Sequence, residues 1–331
     1  SPVALRISPG ATMSEDFRSP LASEMASFVA YKRARGYVYR RAAATLKSFD
    51  RYIEANSESP TSRSLPNLLR QWLCSRSHRK SVSVAVELGT IRQFLRYRLR
   101  FHEDGFVPGR EWAPQSVESE FVPEVLSEDQ IHALLAEADC LRCDLHARPA
   151  LRALILILYC TGLRFGEAIR LRIRDVDTKN RLFRILESKG KTRWVPFRAD
   201  LLRELRKYRS HRDRLAPAHA DAPFFVRPDG KAFSVKGASG ILRGMLRRRG
   251  FKPLRGRVGP RPYDLRHTFA VHRLIRWHRA GIDVHRRLPH LSAYLGHNDI
   301  MGTEVYLNAT PELLKLASHR LRTRLLGEEA L

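Results

Sequence analysis

Cysteine is scarce in this chain, and its spacing argues against two common uses of the residue. The 331 residues include four cysteines, at positions Cys74, Cys140, Cys143 and Cys160, which are too few and too scattered for a disulfide framework. Cys140 and Cys143 form one CxxC pair, but no second CxxC or His/Cys pair follows at the spacing of a zinc site. We therefore interpret the cysteines as structural thiols.

Long apolar runs are also missing. The longest uninterrupted run extends from Ala153 to Cys160, far short of the ~20 residues that span a bilayer as a helix. The first residues lack the charged segment and apolar core of a secretory signal peptide. The sequence therefore predicts a soluble protein with a cytoplasmic location.

Acidic residues are the third shortage. The chain has 34 Asp and Glu against 60 Lys and Arg, a formal net charge of +26 at pH 7. Between Gly230 and Pro262, ten basic residues occur without an acidic one. Such an excess favours binding to nucleic acid, although an arginine-rich genome alone also yields basic proteins. The residues that we expect to contact DNA are Arg92, Arg96, Lys191, Arg243, Arg247 and Arg248.

Helical periodicity runs through the first hundred residues. Ser19-Pro20 has the form of an N-cap followed by a first-turn proline, and further helices are predicted from about Tyr39, near Leu65–Cys74 and along a fourth apolar stripe. That stripe consists of Val84, Leu88, Ile91, Leu95 and Leu99. The pattern is typical of a small helical bundle.

The periodicity then stops in a segment with glycine and proline, which marks a boundary between domains. We expect a flexible arm at residues 1–17, a helical domain at 18–106, a linker at 107–124 and a second domain at 125–331.

The second domain combines helical patterns with a β-hairpin. Ser127-Glu-Asp-Gln130 predicts a capping box, and the apolar segment Leu151–Cys160 predicts a buried helix. Arg181–Leu186 and Arg193–Phe197 predict two strands around a Gly-containing turn. A last amphipathic helix is expected from about Pro311. The predicted fold class is mainly α with a small antiparallel β-sheet.

Attack on a DNA phosphodiester without a metal needs a particular set of side chains. Two guanidinium groups can hold the non-bridging oxygens and stay charged at any working pH. A lysine on a turn can protonate the leaving alkoxide. A phenol, with a pKa near ~10, is a better leaving group than an alcohol, and therefore suits a reversible covalent step.

The second domain contains these side chains in order along the sequence. T-G-L-R-F-G-E at 161–167 has an arginine at a helix junction, and S-K-G-K at 188–191 puts lysines on the hairpin turn. P-Y-D-L-R-H-T-F-A at 262–270 contains a second arginine. Y-L-G-H at 294–297 is followed by Tyr306, nine residues after the histidine.

Together these motifs resemble those of the tyrosine recombinase/integrase family, over roughly residues 18–325. The resemblance implies a site-specific DNA recombinase with a SAM-like helical core-binding domain and a mixed α/β catalytic domain, which form a C-shaped clamp on duplex DNA. It also implies a tetramer on two DNA sites, and no metal or nucleotide cofactor. The basic composition and one atypical position, described below, favour a mobile element.

The resemblance assigns a role to each reactive residue. Arg164 and Arg266 would clamp the scissile phosphate, and His297 would donate to a non-bridging oxygen. Tyr306 would form the 3′-phosphotyrosyl link. Glu167 is expected to orient its surroundings rather than to react.

The hairpin turn would provide the general acid for the 5′-hydroxyl. Lys189 is the residue that the resemblance favours, and Lys191 is its rival because the turn is short. Gly190-Lys191-Thr192 is similar to the end of a phosphate-binding loop, but Ile185 occupies the position of the first glycine of that motif. No ATP site is therefore expected.

One position departs from the family pattern. The motif usually reads H-x-x-R, but Tyr263 occupies the position of that histidine. A phenol can hydrogen-bond a phosphate, so we include Tyr263 in the catalytic set, but it is a poor base at neutral pH. His267 directly follows Arg266, and we expect it to pack rather than to act as a substitute base.

Two other functions are compatible with the residues. A DNA-binding accessory protein of the same fold would need no nucleophile, and Tyr306 would then be a core aromatic residue. A type IB topoisomerase uses the same chemistry, although the short two-domain chain favours the recombinase.

Overall fold

The computed structural model describes residues 17–56, 64–102, 105–114, 124–141, 147–186, 192–256, 258–297, 300–307, 312–316 and 318. The chain divides into two compact units, Ser1–Glu120 and Phe121–Leu331. Most described residues are helical, and three short strands form one antiparallel sheet. The predicted fold class is therefore confirmed, while the domain limits stay a prediction. None of the helices in these ranges is both long and apolar enough to cross a membrane.

The first unit contains four α-helices within the described residues. They are α1 (Ala22–Ala34), α2 (Arg40–Asn56), α3 (Leu65–Cys74) and α4 (Ser81–Arg98). Their apolar faces form one aromatic-rich core, in which Phe28 packs on Phe94 and Phe49 packs edge-on against Trp72. Leu99, expected on the buried stripe, is 40% exposed because α4 ends one residue before it.

The first helix begins later than expected. Ser19 and Pro20 form a turn before α1 instead of its cap. The buried carboxylate of Asp50 accepts hydrogen bonds from the backbone N–H groups of Arg18 and Ser19, at 2.7 and 3.0 Å. This contact with α2 holds Ser19 outside the helix, so α1 starts at Ala22.

The second unit contains most of the remaining elements. Ser127 and Gln130 form the predicted capping box at the start of the first helix of this unit. The helices are α5 (Glu128–Asp139), α6 (Arg148–Thr161), α7 (Phe165–Ile169), α8 (Ala199–Arg212), α9 (Val235–Arg248), α10 (Asp264–Arg279), α11 (Val284–Leu295) and α12 (Met301–Glu304). The apolar helix α6 is buried as expected, and packs against α5, α8 and α10.

The sheet has the order β1 (Val176–Asp177), β2 (Leu182–Leu186) and β3 (Thr192–Pro196). The predicted hairpin is confirmed, because β2 and β3 pair antiparallel. Its turn, with Lys189 and Lys191, lies outside the described residues. Most of the predicted C-terminal helix also lies outside them.

Candidate active site

The guanidinium groups of Arg164 and Arg266 are held close together by hydrogen bonds to three backbone carbonyls. Arg266 donates from Nη2 to the carbonyl of Leu295, at 2.8 Å, and from Nη1 to that of Gly162, at 2.8 Å. Arg164 donates from Nη2 to the carbonyl of Gly296, at 2.6 Å. Two of these acceptors are adjacent in the chain, so the positive charges of the two arginines converge on one place.

Two helix ends explain this arrangement. Gly162 ends α6 and Gly296 ends α11, both in the left-handed conformation, with φ of 61° and 70°. The last carbonyls of a helix accept no hydrogen bond from within the helix. They can therefore accept hydrogen bonds from arginine side chains. A Cβ atom at Gly162 would lie 2.4 Å from Cδ1 of Phe269. The T-G-L-R motif thus needs its glycine for both backbone conformation and space, and the L-G-H motif needs its glycine for backbone conformation.

Arg164 is oriented further by a buried carboxylate. Glu167 accepts from the backbone N–H and from Nη1 of Arg164, both at 2.9 Å. It also accepts from Nη2 of Arg193 at 2.7 Å. Burial alone would raise the pKa of the Glu167 carboxyl, but the hydrogen bonds and charges of the two arginines outweigh it, and the pKa lies below its usual value. Glu167 is therefore an ionised support for Arg164, while Arg193 is a partner that the sequence did not reveal.

Arg266 is buried, with 1% of its surface exposed. Its Nε is buried without a hydrogen-bond partner among the described residues. Burial, and secondarily the charge of Arg164, lower the pKa of Arg266, but a guanidinium stays protonated in proteins. Burying a cationic N–H donor without an acceptor destabilises the folded protein. An anionic oxygen that binds there can accept the missing hydrogen bond and offset this cost.

Tyr306 lies in the interior of the same unit as the arginine pair, with 2% of its surface exposed. Its hydroxyl oxygen is 3.0 Å from Nδ1 of His267. Burial raises the pKa of Tyr306, whereas the positive charges of Arg266 and Arg164 act to lower it. The fold therefore brings a phenol from the C-terminal motif into the electrostatic field of both arginines.

His297 also belongs to this cluster. Its Nδ1 lies 2.7 Å from Oγ1 of the buried Thr303, and its ring centroid is 6.3 Å from that of Tyr306. Thr303 in turn accepts from the backbone N–H of Tyr306 through its carbonyl, at 3.1 Å. Thr303 therefore ties the histidine of the L-G-H motif to the segment that carries the tyrosine.

His267 lies between the two tyrosines of the site. Its ring centroid is 5.0 Å from that of Tyr263 and 5.3 Å from that of Tyr306. His267 is buried, as expected of a packing residue, but the expectation missed its hydrogen-bond contact with Tyr306. Tyr263 is 40% exposed.

The expected DNA-binding arginines differ in their availability. On α4, Arg96 is exposed and Arg92 is half-buried. On α9, Arg243 is exposed, whereas Arg247 donates to the carbonyl of Pro253 at 3.2 Å. Arg248 forms a 2.6 Å ion pair with a carboxylate on α5. The two α9 residues with intramolecular partners are therefore less available to phosphates than Arg243.

Metal ligands are not clustered in the part of the chain that the structure describes. No group of three His, Cys, Asp or Glu side chains is placed to hold an ion there. Cys140 is an exposed free thiol, and Cys143 lies outside the described residues.

Comparisons with known proteins agree on one family. Residues 124–312 match the model of the phage integrase family. The chain is 32% identical over 310 residues to the y4rB protein of Sinorhizobium fredii (strain NBRC 101917 / NGR234), across 90% of this chain and 95% of that protein. It is 30% identical over 295 residues to the tyrosine recombinase XerD of Rhizobium meliloti (strain 1021), across 82% of this chain and 87% of that protein. Its fold is similar to that of the Tn1549 transposon integrase in complex with transposon right end DNA, with a TM-score of 0.64, 17% identity, and coverage of 90% of this chain and 99% of that one.

Proposed function

Because this chain belongs to the phage integrase family, and is thus a DNA strand transferase of the tyrosine recombinase type, we propose that it cleaves and rejoins duplex DNA at specific sites through a 3′-phosphotyrosyl intermediate on Tyr306. The position of the Tyr306 hydroxyl carries the proposal. It is buried in the same unit as Arg164 and Arg266, and both guanidinium charges act on it.

The two arginines bind the scissile phosphate in this proposal. Planar guanidinium groups hold non-bridging oxygens in a bidentate manner and stabilise the charge of the five-coordinate transition state. Arg266 has a buried Nε that lacks a partner among the described residues, and Arg164 keeps a half-exposed side chain. His297 donates to a non-bridging oxygen as the charge develops.

The hairpin turn provides the general acid. We assign this role to Lys189, with Lys191 as the alternative, although both lie outside the described residues. Support comes from the strand that directly follows the turn, where Arg193 of β3 donates to Glu167. The same carboxylate holds Arg164, so the strand that follows the turn is joined to the group that we propose binds the phosphate.

The reaction proceeds in two reversible steps. The phenol oxygen attacks phosphorus, the P–O5′ bond breaks, and the acid protonates the leaving 5′-oxygen. A 5′-hydroxyl from another strand then attacks the phosphotyrosine and releases the phenol. The bond energy is kept in the phosphotyrosyl link, so we propose that the reaction consumes no ATP and that the arginine pair takes the place of a metal ion.

We further propose that four copies join two DNA sites, that the protein acts in the cytoplasm and that it serves a mobile element. The arginine-rich composition and Tyr263 at the usual histidine position favour the last point. In the C-terminal segment, Glu312 pairs with Arg279 and Leu313 is buried. The first turn of that segment is thus anchored to its own unit, and the residues after 318, outside those described, are the part that we propose to dock on a neighbouring copy.

A nicked suicide duplex tests the proposal. The duplex carries the sequence that the full chain selects from a pool of random DNA, with a nick placed so that the cleaved fragment diffuses away. We expect a covalent protein–DNA adduct. No adduct on DNA that the protein binds tightly would leave the rival, a non-catalytic DNA-binding protein, which Tyr263 at the usual histidine position favours. Relaxation of a supercoiled plasmid that lacks the selected sequence would instead indicate a topoisomerase.

A further inference from the structure

We propose that His267 is the general base for Tyr306, whose hydroxyl proton passes to Nδ1 of the imidazole as the phenol oxygen attacks the scissile phosphorus. The inference rests on the proposed strand-transfer function. It assigns a proton acceptor in a chain whose usual histidine position holds Tyr263.

The geometry is that of a general base next to its nucleophile. The Nδ1 atom of His267 is 3.0 Å from the hydroxyl oxygen of Tyr306, within the range needed for direct proton transfer. Only 7% of His267 and 2% of Tyr306 are exposed. Burial of both groups limits the access of water, which would otherwise compete for the same hydrogen bond.

A second contact favours the tautomer that this role needs. Oδ1 of Asp264 lies 3.7 Å from Nε2 of His267, one helical turn earlier on α10. A carboxylate on that side stabilises a proton on Nε2 and leaves Nδ1 with a lone pair for the hydroxyl. Asp264 is fully buried and held by Arg261, which donates from Nη2 to Oδ1 at 2.8 Å. Asp264 is thus a positioning residue, in the order Asp–His–Tyr.

The electrostatic environment keeps His267 neutral before DNA binds. Burial is the main cause that lowers the pKa of His267, to about 4; Asp264 opposes this, and the charges of Arg261 and Arg266 add to it. Among the described residues, the rings of Tyr263 and Tyr306, both phenols, also contact His267. A phosphate bound by the arginines adds negative charge nearby, which favours the imidazolium that proton transfer creates.

The other aromatic groups of the site are less suited to this step. Tyr263 presents a phenol, a group that is a poor base at neutral pH. His297 has its Nδ1 at 2.7 Å from Thr303, and its ring is farther from Tyr306 than that of His267 is.

Every proton that is released in cleavage or in rejoining has a named acceptor. During cleavage, the O–H bond of Tyr306 breaks, a P–O bond to the phenol oxygen forms, and Nδ1 of His267 gains the proton. The P–O5′ bond breaks and the lysine acid protonates the 5′-oxygen. During rejoining, a 5′-hydroxyl gives its proton to that lysine, and the imidazolium returns its proton to the leaving phenol oxygen.

The test measures single-turnover adduct formation on the suicide duplex for the full chain between pH 6 and pH 9. His267→Asn keeps a polar group near Nδ1 but cannot accept a proton. We expect its rate at pH 7 to fall by about 10²-fold or more, the usual contribution of acid–base catalysis. We also expect that rate to rise by nearly tenfold per pH unit, because cleavage then depends on the phenolate fraction, whereas the wild-type rate levels off.

The chain offers a matched control on the same helix. His272 is half-buried, and its Nδ1 lies 3.1 Å from the hydroxyl of Tyr159, so His272→Asn removes the same kind of contact away from the arginines. It should keep the wild-type rate and pH profile. Equal rates and profiles for His267→Asn and wild type would overturn the proposal while leaving the strand-transfer function intact; a wild-type protein without adduct would remove both.

A substrate with sulfur at the bridging 5′ position separates the base from the acid. A thiolate leaves without protonation, so this duplex should restore cleavage in a variant of the lysine acid, Lys189→Ala or Lys191→Ala, but not in His267→Asn. Rescue of His267→Asn would contradict a base role.

The tautomer of His267 can be measured by NMR on the wild-type protein, so this test does not depend on whether a variant folds. The ¹⁵N shifts of the His267 ring should show a proton on Nε2 and an unprotonated Nδ1. A neutral ring with the proton on Nδ1 would overturn the proposal.

Discussion

The hydroxyl of Tyr306 and Nδ1 of His267 lie 3.0 Å apart, although 39 residues separate them in the chain. The contact joins the start of α10 to the segment after α12, two parts of one unit. Tyr306 is buried in the same unit as Arg164 and Arg266, whose positive charges act to lower its pKa. In the proposed reaction, each copy would therefore attack the phosphate that its own arginines hold.

The support of Arg164 by Glu167 leads to the first prediction. Glu167→Gln keeps the shape of the side chain but removes the charge that faces Arg164 and Arg193. We expect a loss of about 1–3 kcal/mol of stability, because charged donors lose their partner, and a fall of at least tenfold in the rate of adduct formation. Glu204→Gln is the control, since Glu204 of α8 pairs with Arg152 of α6 at 3.0 Å. It should change stability without changing the cleavage rate of the folded protein.

The helix end at Gly162 leads to the second prediction. Gly162→Ala would put a methyl group 2.4 Å from Phe269 at a φ of +61°. We expect a destabilisation of about 2–4 kcal/mol, the sum of left-handed strain and overpacking, and weaker cleavage because the carbonyl of Gly162 holds Arg266. Gly250→Ala has a similar φ of +72° but nothing within 4 Å, so only the strain of about 1 kcal/mol should remain. Equal losses in the two variants, measured by chemical denaturation, would contradict the packing argument.

The atypical Tyr263 leads to the third prediction. Tyr263→His should leave the rate of adduct formation unchanged or raise it, since it restores an imidazole at the position where the family usually has one. Tyr263→Phe keeps the ring that packs edge-on against His267 and is the control for the hydroxyl. A loss beyond tenfold for Tyr263→His, about 1.4 kcal/mol of barrier, would reveal a specific role of the phenol.

Burial of His267 leads to the fourth prediction, on stability and pH. The folded protein holds the pKa of His267 at about 4, below the value near ~6.5 of an exposed histidine. Between these two pKa values the unfolded chain binds more protons than the folded protein. The free energy of unfolding should therefore rise with pH across this window and reach its full value above it. The contribution to the slope is up to about 1.4 kcal/mol per pH unit. Denaturation curves of His267→Asn between pH 5 and pH 6.5 should show a smaller slope than wild type; an unchanged slope would contradict the burial of a neutral ring.

Local patterns made much of the fold predictable. The bounds of α3, the capping box of Ser127 and Gln130, and the pairing of β2 with β3 depend on residues close together in sequence, where propensity and periodicity act. The predicted start of α1 was wrong because Asp50, on α2, accepts hydrogen bonds from the backbone N–H groups of Arg18 and Ser19. A tertiary contact of that kind leaves no periodic signal.

The site, like the fold, was predictable from local sequence only in part. The motifs predicted the two arginines, the histidine and the tyrosine, and the glycines next to them are the residue type expected where a helix ends. The pairing of Arg193 with Glu167 and of His267 with Tyr306 depends on how β3, α7 and α10 pack, and the residue types alone do not specify it. His267 in particular follows an arginine in a helix, where a packing role is the ordinary expectation.

The most direct test of the account is the chemical identity of the adduct. The protein is trapped on the nicked duplex with its selected sequence, digested with protease and nuclease, and the nucleotide-bearing peptide is sequenced by mass spectrometry. We expect the phosphate on Tyr306, linked to a DNA 3′ end, and no adduct from Tyr306→Phe although it binds the same duplex. A phosphate on another residue, or an adduct that persists in Tyr306→Phe, would contradict the account.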